Sequence, residues 1–256
     1  MIILNFILGL SIGSFLNVLI DRLPKGQQIT GRSYCDHCKK TLRATDLIPV
    51  VAYVFLGGRS SCCGKSLSLF YPFVELLTGV SFIIADFYLD PQGGSLLASL
   101  GWTPEYFFLI GILCSLIVIF FSDLKYHIIP DEATMALFIF STFTIAPIIN
   151  KTDHLIGSLV LIFGMYGLYF ATKGKGLGFG DVKLAPVIGW LLGLVSGFIA
   201  LYIAFIIGGI VSGFLLLFRR RKLKSRIAFG PFLVIGILVM LFFEPEILAY
   251  VSRLFH

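Results

Sequence analysis

The sequence predicts an all-α fold: a polytopic transmembrane helical bundle of about eight spans, with a small cytoplasmic loop carrying a cysteine cluster. Three observations predict it. The chain is 57% hydrophobic and only 13% charged, about half the charged share of an ordinary soluble domain. Its apolar residues come in blocks, several of which approach or exceed the roughly 20 residues needed to cross a hydrocarbon core. Its charges sit in short clusters between those blocks, so the net charge of +6 reads as a topology signal and not as a nucleic-acid surface.

The elements follow in chain order. The first block, residues 1–20, has no basic n-region and no small-residue cleavage site before Asp21-Arg22, and is expected as a mature span. Residues 21–69 form the only sizeable polar segment; it is too small for an ordinary soluble core and would gain from a metal staple. The remaining residues, 70–256, form a transmembrane bundle, with spans near 70–89, 104–122, 132–149, 155–172, 182–194, 197–218 and 229–250. The segment 182–194 is short for a full crossing, and Gly193 and Gly197 bracket its junction with the next, as in a half-span or a tilted helix. The loop at 90–103, with Asp90, Pro91 and Gly93-Gly94, reads as an external connector. No internal repeat is evident. If 21–69 is cytoplasmic, alternation places 18 of the 20 Lys and Arg residues on that side, leaving only Lys151 and Arg253 opposite. The positive-inside rule is met with both termini outside the cytoplasm. Arg219-Arg220-Arg221-Lys222 reads as a stop signal attracted to anionic lipid.

Ionisable residues at the ends of spans are costly and therefore informative. One such site is Ser122-Asp123-Leu124-Lys125-Tyr126-His127-Ile128-Ile129-Pro130-Asp131; the other is Gly178-Phe179-Gly180-Asp181-Val182-Lys183. Both fall on the cytoplasmic rim in this topology. Two neighbouring carboxylates cannot both ionise cheaply and share a proton. The ionised one can activate water, and the protonated one can polarise a carbonyl and protonate a leaving amine. Glycines beside Asp181 permit close approach. Simpler roles compete. Asp131 is expected to cap a helix, and Asp181 is open to the same reading. Asp123 ends a span, where a carboxylate is disfavoured by the helix dipole, so capping explains it poorly. His127 and Lys125 read as interface residues. Lys183 is placed to reach Asp181 or to snorkel.

Cys35 and Cys38 form a Cys-x-x-Cys knuckle, and Cys62 and Cys63 follow in the same loop. Two such pairs suggest a tetrahedral zinc site that closes the loop and contributes to folding. Cys114, inside a span, reads as packing. Glu75, early in the second span, reads as a structural partner of a basic loop residue or of the positive helix end, with substrate contact as the alternative. The glycines and aromatics of the last two spans read as helix packing.

These residues resemble a known family along nearly the whole chain. Gly13-Ser14-Phe15-Leu16-Asn17-Val18 with Arg22-Leu23-Pro24, then Asp46-Leu47-Ile48-Pro49, Tyr71-Pro72-Phe73-Val74-Glu75-Leu76, Asp123 to Ile129-Pro130-Asp131, and Gly178-Phe179-Gly180-Asp181 are similar in order to the type IV prepilin leader peptidases, membrane aspartic proteases with a Gly-x-Gly-Asp motif. The resemblance implies that Asp123 and Asp181 are the catalytic pair and that Asp131 is not catalytic. It implies prepilin or pseudopilin substrates with a short basic leader, cut beside a hydrophobic helix at the cytoplasmic face of the bacterial membrane. It also implies possible N-methylation of the new N-terminus with S-adenosylmethionine. The chain departs from the family pattern in its second cysteine pair, where position 60 is serine and an extra cysteine stands at 62. The expected zinc ligands are Cys35, Cys38 and Cys63, with Cys62 or His37 as the fourth; an empty site or a redox pair is the alternative. Against this reading stand another intramembrane aspartic protease, a proton-coupled transporter, whose sites usually lie near the bilayer midplane, and a non-enzymatic assembly protein. Oligomeric state and the particular pilin are not encoded in any motif.

Overall fold

The computed structural model describes residues 2–35, 37–89, 103–146, 151–174, 176–217 and 228–254. The expected connector at 90–103, except its last residue, and the Arg219–Lys222 run lie outside the described residues. The chain divides into two compact units, Met1–Val118 and Ile119–His256.

The first unit holds α1 (Ile2–Arg22), the short α2 (Val51–Phe55), α3 (Phe70–Leu89) and the larger part of α4 (Pro104–Tyr126). α1 and α3 meet backbone to backbone. A Cβ on Gly9 would lie 2.7 Å from the Cα of Gly79, and one on Gly13 would lie 2.7 Å from the Cα of Glu75. Small residues one turn apart let helices approach this closely where lipid supplies no hydrophobic drive.

Between α1 and α3 the polar loop has little core, and hydrogen bonds replace it. The Arg22 guanidinium, buried in the fold, donates to the carbonyls of Gln28, Ile29, Thr30 and Arg32 at 3.1–3.3 Å. Further on, one backbone design occurs twice. In the first knuckle Cys35 N–H donates to the Lys40 carbonyl and Lys39 N–H to that of Cys35; in the second Ser60 N–H donates to Lys65 and Gly64 N–H to Ser60. Lys39 and Gly64, at matching positions, both have positive φ, 58° and 67°. Isolated bridges, Tyr34 with Thr41 and Arg59 with Ser66, close the two. Ser60 therefore occupies in the second knuckle the place Cys35 holds in the first.

The second unit holds the last turns of α4 with α5 (Asp131–Ile145), α6 (Thr152–Ala171), α7 (Phe179–Leu192), α8 (Leu194–Leu217) and α9 (Gly230–Leu254). α6 and α7 pack through Gly157 against Gly189, and α8 and α9 through Ala200 against Gly236. Gly193, with φ 83°, separates α7 from α8, and the Asp153 carboxylate accepts from the Leu194 N–H at 3.1 Å. Outward-facing Phe163, Phe170, Tyr202 and Leu217 leave apolar surface of the kind lipid covers.

The fold class is as the sequence predicts: helices throughout, and a multi-pass membrane protein. Among the described residues six helices are long and apolar enough to cross a membrane: α1, α3, α4, α6, α8 and α9. The other two expected spans are present as the shorter apolar helices α5, 15 residues, and α7, 14 residues.

Candidate active site

Asp123 and Asp181 come together in the second unit at the meeting of three helix ends. Asp123 lies one turn before the end of α4. Asp181 lies in the first turn of α7, which starts where Gly178, extended at φ −75° and ψ 148°, turns into the helix. The link between the two segments is Ile129, buried just after α4. A Cβ on Gly180 would sit 3.1 Å from the Cβ of Ile129, so glycine there lets the two aspartate segments close on each other.

Both carboxylates are almost fully buried, at 6% and 5% exposure, and near enough to interact electrostatically. Each has one oxygen held by a glycine N–H. Asp181 Oδ2 accepts from Gly178 at 3.0 Å, and Asp123 Oδ2 accepts from Gly230 at 2.8 Å. The donors are amides at the starts of α7 and α9, where first-turn N–H groups lack intrahelical partners. Oδ1 of each aspartate is without a hydrogen-bond partner among the described residues. The arrangement presents two fixed carboxyl groups, each with an oxygen to spare for water or a carbonyl.

Gly230 was expected only to pack a helix. It touches Asp123 directly, and a Cβ there would stand 2.7 Å from Asp123 Oδ2. Asp131 departs from its expected capping role. Pro130 takes the flanking position, no side-chain cap bond forms, and the Asp131 carboxylate pairs instead with Lys183 at 2.8 Å. Lys183 thereby reaches across to the start of α5 and not to Asp181. Glu75, in the first unit, finds its loop partner in a backbone group, accepting from the Val50 N–H at 2.7 Å.

The four cysteines of the first unit also converge. The Sγ atoms of Cys35, Cys38, Cys62 and Cys63 all lie within 4.8 Å of one another, with Cys35 to Cys63 at 3.8 Å and Cys38 to Cys62 at 3.0 Å. This group can hold a metal ion; His37 is not part of it. Ser60 is buried among them, its Oγ 3.4 Å from Cys35 Sγ and 3.1 Å from Cys62 Sγ. Hydrogen bonding from Ser60, then from the backbone of Cys38, lowers the Cys35 thiol to about 6. That shift favours the thiolate, the form that binds metals.

Comparisons with known proteins divide the chain in a similar way. Residues 7–88 match the bacterial peptidase A24 N-terminal domain, and residues 110–213, which include both aspartates, match the type IV leader peptidase family. A prepilin leader peptidase/N-methyltransferase of Aeromonas hydrophila is 30% identical over 91% of this chain and 87% of its own length. One from Klebsiella pneumoniae is 33% identical over 73% and 83%, and one from Bacillus subtilis (strain 168) is 26% identical over 99% of both. No solved structure matches. With a relative at that identity over most of both chains, and both family segments in order around a paired-carboxylate site, the chain belongs to the type IV leader peptidase family.

Proposed function

We propose that the chain is a membrane aspartic endopeptidase that removes the short basic leader of type IV prepilins or pseudopilins and also N-methylates the new N-terminus. The observation that carries the peptidase reading is the pairing of Asp123 with Asp181, both buried and each anchored through one oxygen by a helix-start amide. In this reading the ionised carboxylate takes a proton from water as that water attacks the scissile carbonyl, and the protonated partner polarises the carbonyl oxygen. The proton then passes to the leaving amine, and the pair returns to its singly protonated state. Oδ2 of each residue is held, and Oδ1 of each does the proton transfer.

The same reading places the site at the cytoplasmic rim of the bacterial cytoplasmic membrane, where 18 of 20 basic residues fall by alternation. A substrate whose hydrophobic helix lies in the bilayer would present its leader at that rim. Methylation follows from the names of the relatives. S-adenosylmethionine supplies the methyl group when bound.

For the cysteine cluster the proposed ion is zinc. Four Zn–S bonds in a tetrahedron require S···S distances of about 3.8 Å, and the four Sγ atoms, all within 4.8 Å of one another, fit with small adjustments. Cys35, Cys38, Cys62 and Cys63 would hold it, and it would clip a loop that has little core of its own.

Co-expression with a candidate prepilin, followed by mass analysis of the pilin N-terminus, tests both activities. The expected product lacks the leader and carries an added methyl group. Complete processing by an Asp181→Asn protein would remove the peptidase assignment.

A further inference from the structure

By sequence α2 belongs to the polar loop, but its position is that of the spans. Val50, just before it, donates its N–H to Glu75 at 2.7 Å. Glu75 lies five residues inside α3, counted from Phe70, or about 7 Å along a helix axis. Its Cα packs against Gly13 of α1. Gly13 is nine residues before the loop end of that helix at Arg22, or about 13 Å. α1 and α3 are both long and apolar enough to cross a membrane. Even with the length of the glutamate side chain allowed for, the start of α2 is level with these helices and not beyond them.

The two faces of α2 differ. Ala52, Tyr53 and Leu56 turn to the inside of the unit, and the Tyr53 hydroxyl donates to the Leu67 carbonyl at 3.4 Å. Val51, Val54 and Phe55 point away, the last two 68% and 87% exposed. A helix of five residues is far too short to be stable alone in water, and apolar side chains gain by leaving water. The turn into it is strained, with the β-branched Val50 at φ 59°, and such strain persists where the surroundings enforce it. At the same level of the spans, Phe15 of α1 and Phe73 and Leu76 of α3 are also exposed, so lipid is the neighbour already present at this depth. The loop around the apolar face is basic: residues 21–69 hold eight Lys and Arg against three Asp and no Glu. Arg43 and Arg59, on either side of α2, are exposed. An apolar helix face with basic flanks suits the surface of an anionic bilayer.

We propose that α2 is seated in the membrane surface: Val51, Val54 and Phe55 insert at the boundary of headgroups and acyl chains, and the flanking basic residues hold anionic headgroups. The cysteine loop is then fixed to the bilayer at its middle as well as at its two ends, and lipid supplies part of the apolar cover that the loop lacks. No part of this seat depends on the aspartate pair or on methylation.

The test places the full chain in nanodiscs of equimolar phosphatidylglycerol and phosphatidylcholine. A diazirine-bearing amino acid replaces Phe55, and the photoproducts are read by mass. The same label in place of Phe73, on a span, gives the yield of a lipid-facing position. Position 55 is expected to give lipid adducts in comparable yield, enriched in phosphatidylglycerol. Adducts to another copy of the chain, or capture by water in place of lipid, overturn the seat in the bilayer. Adducts drawn equally from the two lipids overturn the part given to the basic residues. Val54→Asp, checked for its melting transition, puts a charge in the seat and should lift α2 from the bilayer. Chymotrypsin should then cut beside Phe55 at least about tenfold faster in the nanodisc. An unchanged rate in a folded Val54→Asp protein also overturns the proposal.

Discussion

The N–H of Gly230 donates to Oδ2 of Asp123 across 2.8 Å and 107 residues of sequence. Any residue but proline could donate that N–H; glycine is required because a Cβ would stand 2.7 Å from the same oxygen. Gly230→Ala must therefore displace the carboxylate or the start of α9. Misplacement of a reacting group by about 1 Å costs on the order of 100-fold in rate, and a loss of that size is expected in leader cleavage. Gly209→Ala, with nothing within 4 Å of the added Cβ, is the matched control. Equal rates for the two variants would show that this contact does not set the position of Asp123.

Asp123→Asn and Asp181→Asn keep the shape of the side chain and remove its proton chemistry. Each is expected to lower cleavage by roughly 100- to 10,000-fold while the protein still inserts in membranes. Asp131→Asn breaks only a solvent-exposed pair with Lys183, and such pairs are worth about 0–1 kcal/mol. That variant should retain substantial activity. If it were as inactive as Asp181→Asn, the division of labour between the three aspartates would have to be redrawn.

The helices were legible because apolar blocks of span length have few other uses, and boundaries such as 70–89 needed no tertiary information. The aspartates were legible because carboxylates at span ends are rare. Gly230 was not, since its contribution is a backbone N–H and a missing Cβ, and neither has a chemical signature in an apolar stretch rich in glycine. A faint signal was present: helix starts carry unpaired amides, and Gly230 begins a helix where Asp123 nears the end of one. The pairing of Asp131 with Lys183, in place of the expected cap, was not legible because Lys183 lies 52 residues away, and only the packing of α5 on α7 brings it within reach. The twinned knuckles stayed hidden for a similar reason. Serine at 60 breaks the Cys-x-x-Cys pattern while the backbone hydrogen bonds keep it.

A shared proton has a kinetic consequence. As pH falls, both carboxyls become protonated and no base remains to activate water. As pH rises, both ionise and no acid remains for the carbonyl and the leaving amine. kcat/KM for leader cleavage should therefore trace a bell, and its two limbs belong to the pair, not to Asp123 or Asp181 singly. Measurement across the range in which the detergent-solubilised protein remains folded checks this. A profile with a single rising limb would leave no role for a protonated partner.

Ser60 supplies the sharpest test of the cysteine cluster. It stands where the knuckle geometry places a first ligand, buried at 5% exposure and within 3.4 Å of Cys35 Sγ, while Cys62 beside Cys63 makes up the number of thiols. Ser60→Cys gives both knuckles the same pair of thiols and should tighten zinc binding at least about tenfold, measured by competition with a chromogenic chelator. Cys62→Ser should weaken binding in the unaltered chain, because it removes one of four ligands, and should have little effect when combined with Ser60→Cys. That non-additivity is the signature of two positions competing for one coordination site. If Cys62→Ser leaves zinc affinity unchanged in the unaltered chain, Cys62 is not a ligand, and the metal is held by three cysteines and another group.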